Sequence, residues 1–168
     1  MKVLWAPWRM AFIASGKEPG CIFCTKPRHR DPRESLVLAV TPGSVVMLNK
    51  YPYNNAHLLI APRTHTADLD ELRPAERADL FDTLRASIRI VREALRPEGM
   101  NVGMNLGAVA GAGVLDHLHW HVVPRWKGDT NFMPVLASVR VMPQHLLESY
   151  DTLHPQFARL RRRRRRTR

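Results

Sequence analysis

The sequence contains no apolar run that approaches the roughly 20 residues needed to cross a bilayer as a helix. Its first residues, Met1-Lys2-Val3-Leu4-Trp5, lack the long apolar stretch of a secretory signal peptide. Only two cysteines are present, Cys21 and Cys24, which is too few for a disulfide framework. These features predict a cytoplasmic protein without a membrane partner.

The chain also lacks internal repeats and a second set of core-forming segments. Its 168 residues, 45% of them hydrophobic, suit a single domain with a substantial core. We predict one α+β domain over residues 1–155, followed by an arginine-rich, disordered tail over residues 156–168. Residues 1–15 are apolar and contain two tryptophans, so this arm either packs on the body or closes over a site or a dimer partner.

Positive charge is concentrated at the C-terminus. Of the net charge of +11, eight charges come from Arg159, Arg161 to Arg166 and Arg168, which leaves +3 on the rest of the chain. A block of like charges is typical of a solvated tail. Such a tail can also bind polyanions through counterion release, so a nucleic-acid-associated regulator stays open as a function.

The hydrophobic pattern changes period along the chain. Apolar residues recur with helical spacing over residues 74–96, whereas residues 143–153 predict a short C-terminal helix. Residues 135–141 are interpreted as mixed strand and loop. Strands are predicted at residues 36–40, 45–49, 57–61 and 101–105.

Three histidines alternate with apolar residues between Asp116 and Trp126. In a strand, His117, His119 and His121 would line one face while the residues between them pack on the other. A neutral imidazole can attack phosphorus, and a neighbouring histidine can assist the departing phosphate. The glycine-rich loop at residues 106–113 leads into this segment and can bind phosphate through its N–H groups or serve as a plain hairpin loop.

The Cys21-x-x-Cys24 spacing indicates half of a zinc site or a redox pair. A redox pair needs a thioredoxin-like βαβ context, which does not follow here. The three histidines could alternatively hold a metal among themselves. However, neighbours about 7 Å apart along a strand converge on one ion less readily than ligands from separate elements.

The segment from His117 to Val123 resembles the His-φ-His-φ-His-φ-φ signature of the histidine-triad (HIT) superfamily of nucleotide hydrolases and transferases. Residues 55–65 resemble a second family segment, with Ala56 in place of the usual glycine. Residues 4–9 and 123–132 are similar to the branch that includes bacterial diadenosine tetraphosphate phosphorylases. The resemblance covers roughly residues 4 to 150.

This resemblance implies a dimer with a mostly antiparallel sheet of about five strands, one long helix and a short C-terminal helix. It implies that His119 is the nucleophile that takes up a nucleotidyl group. His121 would orient the phosphate and the leaving group, and His57 would support them.

The resemblance also implies a set of nucleotide contacts. Asn49 would contact ribose, and Asn105 with the loop from Gly111 to Gly113 would contact phosphate. Gly113 stands where relatives often carry Ser, Thr or Gln, so that contact is missing or made by backbone. Trp126 either stacks on a base or packs in the core.

In some relatives a C-x-x-C is completed by two histidines to form a zinc site. Carried over, the ligands are Cys21, Cys24, His65 and His117, a set that suits closed tetrahedral structural zinc. Free buried thiols with His65 at the surface are the alternative.

The sequence therefore predicts an enzyme that acts on dinucleoside polyphosphates through nucleotidyl-His119, with water or phosphate as the acceptor. A nucleoside phosphoramidase and a nucleotide- or nucleic-acid-binding regulator that uses the arginine tail are the alternatives.

Overall fold

The computed structural model describes residues 20–129 and 145–165 of the chain. Its centre is one five-stranded sheet with the order β1-β2-β3-β5-β4, in which every neighbouring pair is antiparallel. The strands are β1 (Val37–Val40), β2 (Ser44–Leu48), β3 (Leu58–Pro62), β4 (Gly99–Met104) and β5 (Trp120–Arg125).

Three α-helices accompany this sheet within the described ranges. They are α1 (Ile22–Thr25), which continues into a 3₁₀ turn at Lys26–Arg28, α2 (Pro74–Leu95) and α3 (Leu146–Arg165). The long helix α2 starts with Pro74. The lack of an N–H is harmless there, because N–H groups in the first turn of a helix have no acceptor within the helix. It ends where Arg96 adopts a left-handed conformation with φ of 46°.

The main core lies between α2, α3 and one face of the sheet. Alternate residues of the three central strands point toward the helices because side chains switch faces at each strand position. Helix α3 contributes Tyr150, Leu153 and Phe157, each at most 2% exposed. The other core residues include Val46, Leu48, Leu58, Ile60, Leu84, Val91, Leu118 and Val122.

A smaller apolar cluster covers the opposite face of the sheet. There Phe23 of α1 packs with Val45, Met47, Leu59 and Ala61. This contact places the segment that carries both cysteines over β2 and β3, and β3 is paired with β5.

The turn between β1 and β2 is fixed to α2 by Asp79. Its carboxylate accepts hydrogen bonds from the hydroxyls of Thr41 at 2.9 Å and Ser44 at 2.7 Å. At Gly43 between them, a Cβ atom would lie 2.8 Å from Asp79 Cγ. Only glycine fits this turn without movement of the helix.

The predicted α+β fold and its antiparallel five-stranded sheet are confirmed. Helix α2 ends at Leu95, one residue before the predicted end. Helix α3 is longer than the predicted short helix over residues 143–153 and reaches Arg165, inside the segment for which disorder was expected. Buried Phe157 anchors its second half to the core. Residues 1–15 and 135–141 lie outside the described residues.

The histidine strand begins later than predicted. β5 starts at Trp120, so His117 and His119 precede it. The partner strand β3 ends at Pro62, and because proline has no N–H it cannot donate a hydrogen bond to a neighbouring strand. The Pro62 carbonyl instead accepts a hydrogen bond from the His117 ring at 2.9 Å. In the described part of the chain, no helix is long and apolar enough to cross a membrane.

Candidate active site and metal cluster

The three triad histidines keep the predicted alternation although only His121 belongs to the strand. Leu118 is buried in the helix-side core, and its N–H donates to the carbonyl of Thr66 at 2.8 Å. His117 and His119 are buried on the opposite side, with 0% and 3% exposure. The rings of His119 and His121 lie 4.8 Å apart between centroids.

His119 is held in one tautomer. Its Nδ1 lies 2.9 Å from the carbonyl oxygen of His117, and because a carbonyl can only accept, Nδ1 carries the proton. The Nε2 atom therefore has a free lone pair. Burial lowers the pKa of this ring below its ordinary value, despite the opposing effect of the bond to the His117 carbonyl. A neutral imidazole with a fixed lone pair is suited to nucleophilic attack.

A chain of hydrogen bonds likewise fixes the protons of His57 and His121. The backbone N–H of Tyr53 donates to His57 Nδ1 at 3.1 Å, so the His57 proton is on Nε2. That Nε2 lies 2.9 Å from His121 Nδ1, which must accept. The proton of neutral His121 is consequently on its Nε2 atom.

His121 Nε2 is buried and has no hydrogen-bond partner among the described residues. Burial first, and repulsion by His119 second, lower the pKa of His121 from 6.5 to about 4. The ring is thus neutral at pH 7 and holds an unused N–H donor. An unsatisfied buried donor is costly and is common where a ligand supplies the missing acceptor.

Two aromatic side chains complete the surroundings of the triad. The ring centroid of Phe23 lies 4.9 Å from that of His119 and 5.1 Å from that of His117. Tyr53 stacks on His57 at 4.8 Å and lies 6.0 Å from His121. The sequence did not point to either residue, because both come from segments remote from the triad. The position of Phe23 between the two cysteines was the one feature of the sequence that could have indicated it.

The four predicted metal ligands come together. One ligand atom from each of Cys21, Cys24, His65 and His117 lies within 4.8 Å of all the others. His117 Nδ1 is 3.2 Å from Cys21 Sγ and 3.7 Å from Cys24 Sγ, and His65 Nδ1 is 3.4 Å from Cys24 Sγ. Both cysteines are free thiols. Burial, followed by the neighbouring Cys21, raises the pKa of the Cys24 thiol.

Asn49 lies beside the triad. Its Nδ2 is 3.3 Å from His57 Nδ1, and its Oδ1 accepts the N–H of Tyr51 at 2.9 Å. The amide therefore contributes to the tautomer of His57, a role that the ribose prediction did not include. The sequence offered no signal for it, since the pairing depends on the loop that connects β2 and β3.

The other predicted nucleotide contacts are less closely grouped. The Nδ2 of Asn105 is 3.4 Å from the carbonyl of Gly111, and the N–H groups of Gly111 and Ala112 donate within the same loop. Gly111 has φ of 85°, the left-handed region that favours glycine. Gly113 follows in a bend and is exposed. Trp126 comes after β5, where its N–H donates to Asp129.

Residues 31–128 match the family model of the HIT domain, and this range includes the whole triad. The chain belongs to the HIT domain family. It is 38% identical over 165 residues to an AP-4-A phosphorylase of Mycobacterium tuberculosis, with 93% of this chain and 84% of the relative covered. It is 33% identical over 105 residues to the adenosine 5'-monophosphoramidase hnt1 of Schizosaccharomyces pombe, with 62% and 74% covered.

Among solved structures, this HIT domain is similar to a zinc-bound histidine triad family protein from Mycobacterium smegmatis. The two share 30% sequence identity with a TM-score of 0.65, and the match covers 84% of this chain and 95% of that chain. Ala56, which the resemblance places where glycine is usual, has a left-handed φ of 55°, a conformation that favours glycine.

Proposed function

We propose that this protein cleaves dinucleoside polyphosphates of the diadenosine tetraphosphate type through a nucleotidyl-His119 intermediate. The observation that carries the proposal is the tautomer pair: a free lone pair on His119 Nε2 beside an unused N–H on His121 Nε2. A nucleophile and a hydrogen-bond donor on neighbouring rings are what a phosphoryl displacement requires. The 38% identical AP-4-A phosphorylase supports the same substrate class.

In the first step, His119 Nε2 forms a bond to the α-phosphorus while the bond from that phosphorus to the bridging oxygen breaks. The electron pair leaves with the bridging oxygen, so the second nucleotide departs as ATP. His121 Nε2–H donates a hydrogen bond to that oxygen as charge develops on it. His57 keeps the donor in place by occupying His121 Nδ1. An acceptor oxygen then attacks the same phosphorus and releases His119.

Replacement of the nucleophile tests this mechanism. The His119→Ala and His119→Gly variants should lose turnover of diadenosine tetraphosphate while they still bind nucleotide, as measured by product chromatography and calorimetric titration. Full turnover in either variant would exclude nucleotidyl-His119.

Product analysis identifies the acceptor. If inorganic phosphate is the acceptor, wild-type protein releases ATP and ADP only when phosphate is present. If water is the acceptor, the products are ATP and AMP, and two molecules of ADP indicate symmetric cleavage. Faster release of ammonia from adenosine phosphoramidate would favour the phosphoramidase activity named for the Schizosaccharomyces pombe relative.

We further propose that Cys21, Cys24, His65 and His117 hold zinc in a structural role. The donor set fits, because two thiols and two imidazole Nδ1 atoms already converge. The Nε2–H of His117 donates to the Pro62 carbonyl, which leaves Nδ1 as the coordinating atom. When bound, the ion would fix the cysteine segment beside the backbone that carries His119.

We also propose a homodimer that forms along β4. This strand is at one edge of the sheet, and its Val102 is 41% exposed. An unpaired strand edge is a ready surface for pairing with a second copy. Sedimentation equilibrium should give twice the monomer mass, and a Val102→Lys variant should shift the equilibrium toward monomer.

A weak polyanion contact is proposed for the arginine residues from position 159 onward, in a cytoplasmic protein that holds its thiols reduced. Deletion of residues 159–168 should leave kcat unchanged if the protein is an enzyme of the proposed type. Loss of affinity for a polyanion, together with its salt dependence, would assign the tail a binding role.

A further inference from the structure

A cavity bordered by Tyr53 lies next to the triad and takes no part in the chemistry described above. It has a volume of about 200 Å³ and is lined by Tyr53, Asn54, Asn101, Val123, Arg125 and Asp129. Ligand pockets for drug-sized molecules usually measure roughly 300–1,000 Å³. The cavity therefore suits a single ring system rather than a complete nucleotide.

The sheet register places this cavity on the same face as the catalytic histidines. Gly103 is paired with His121, and two positions along, Asn101 is paired with Val123. Directly paired residues of antiparallel strands point to the same face, and two positions correspond to about 7 Å. Tyr53 borders both sites, since it lines the cavity and stacks on His57.

The charges in the cavity wall cancel each other. Arg125 donates to both carboxylate oxygens of Asp129, at 2.6 Å and 2.8 Å. A guanidinium that already holds a carboxylate on two of its donors is poorly placed to bind a phosphate as well. The cavity is therefore suited to an uncharged polar group.

Asn54 and Asn101 each have one amide atom that is available to a ligand in the cavity, one of them an acceptor and the other a donor. Arg125 donates to Asn101 Oδ1 at 3.1 Å, and Asn54 Nδ2 donates to Pro124 O and to Asp129. These bonds fix both amide orientations, because a guanidinium only donates and a carbonyl only accepts. Asn101 Nδ2 and Asn54 Oδ1 remain without a partner among residues 20–129 and 145–165. Adenine presents a donor (N6–H) and an acceptor (N7) on one edge, so a donor from one asparagine and an acceptor from the other match it in kind.

We infer that this cavity binds the base of the departing nucleoside of a dinucleoside polyphosphate. The inference rests on the proposed function, because it assigns the second half of that substrate to a site on the leaving-group side of His121. The polyphosphate would extend from His119 past His121, with the second base held between Tyr53, Asn54 and Asn101. The site would thus select two-nucleoside substrates over nucleotides that have a single base.

The test compares two substrates that share the scissile phosphate. Diadenosine tetraphosphate has the second nucleoside, and adenosine 5′-tetraphosphate has the same phosphate chain without it. The Asn101→Ala variant changes an exposed side chain and is expected to fold. It should raise KM for diadenosine tetraphosphate about three- to tenfold and leave kcat, and both constants for adenosine 5′-tetraphosphate, within twofold. The loss of a single neutral hydrogen bond to a base has about this size.

Asp82→Ala is the matched control, because it removes a side chain of nearly the same shape from the exposed surface of α2. It should change neither substrate's constants. Equal effects of Asn101→Ala on both substrates, or no effect on either, would overturn the second-base site and leave the proposed function standing. If the wild-type protein turns over neither substrate, both proposals are wrong.

Discussion

Replacement of His57 by leucine removes the donor that holds His121 in the tautomer with its proton on Nε2. His57 is fully buried, and its Nε2 lies 2.9 Å from His121 Nδ1. A neutral hydrogen bond contributes a net ~0.5–1.5 kcal/mol, which corresponds to about a two- to tenfold change in the tautomer ratio. Because kcat follows the fraction of His121 in this tautomer, we expect kcat on diadenosine tetraphosphate to fall by up to that factor. A His121→Gln variant should lose more, since it removes the imidazole that we propose as the donor to the leaving group.

The assay uses leaving groups that differ in their need for a hydrogen bond. The p-nitrophenyl ester of AMP releases p-nitrophenolate, which spreads its charge over the ring and departs without a donor. The His57→Leu variant should turn over this ester within twofold of the wild-type rate. A His57→Gln variant retains an N–H donor and should recover part of the activity on diadenosine tetraphosphate.

The leucine substitution also removes the acceptor for the Tyr53 N–H, so we expect the free energy of unfolding to drop by about 1–3 kcal/mol. Denaturation in urea verifies that the variant is folded under assay conditions. An equal loss of kcat on both substrates would refute the tautomer argument, because a general distortion of the site does not depend on the leaving group.

Three further predictions concern stability and metal content. Gly43→Ala should lower the free energy of unfolding by about 1–3 kcal/mol, because the new Cβ collides with Asp79. Gly103→Ala is the control, since a Cβ at this position has no atom within 4 Å. In the same urea titration it should change the free energy of unfolding by less than about 0.5 kcal/mol. Stability should be fully present above pH 6.5 and fall toward pH 4, because the pKa of about 4 at His121 keeps the folded ring neutral while the unfolded chain takes up a proton. After a discount for solvent screening of this half-buried ring, we expect His121 to account for a loss of about 1–2 kcal/mol in the free energy of unfolding between pH 6.5 and pH 4. The His121→Gln variant should lack this part of the pH dependence. An identical dependence of the free energy of unfolding on pH in that variant would contradict the prediction. Cys24→Ala should reduce the zinc measured by atomic absorption well below one ion per chain, while Thr25→Ala should retain it.

The sequence predicted those parts of the molecule that depend on local periodicity. The spacing of apolar residues located α2, and the alternation around His119 placed the imidazoles on one side and Leu118 on the other. The spacing of Cys21 and Cys24 indicated half of a zinc site. The two histidines of the proposed ligand set followed only from the resemblance, because Cys21 and His117 are 96 positions apart and no spacing rule connects them.

The remaining features depend on contacts between distant segments. The late start of β5 results from the His117 ring, which occupies the Pro62 carbonyl, and no strand pattern encodes that bond. The amides of Asn54 and Asn101 line the same cavity and are hydrogen-bonded to Asp129 and Arg125, respectively. In the sequence, nothing distinguishes Arg125 and Asp129 from other charged surface residues. Local propensity cannot predict such arrangements, since tertiary packing decides them.

The contact between Cys21 and His117 has a consequence for the unfolded chain. A link between them encloses β1 to β4 and α2 in one loop, since all these elements lie between the two residues. In the chain-entropy description, a permanent tether across about 100 residues raises the free energy of the unfolded state by about 4.7 kcal/mol. A coordinated ion that remained bound during unfolding would act as such a tether. The cluster would then favour the folded chain by restricting the disordered ensemble, in addition to the bonds that it makes in the native state.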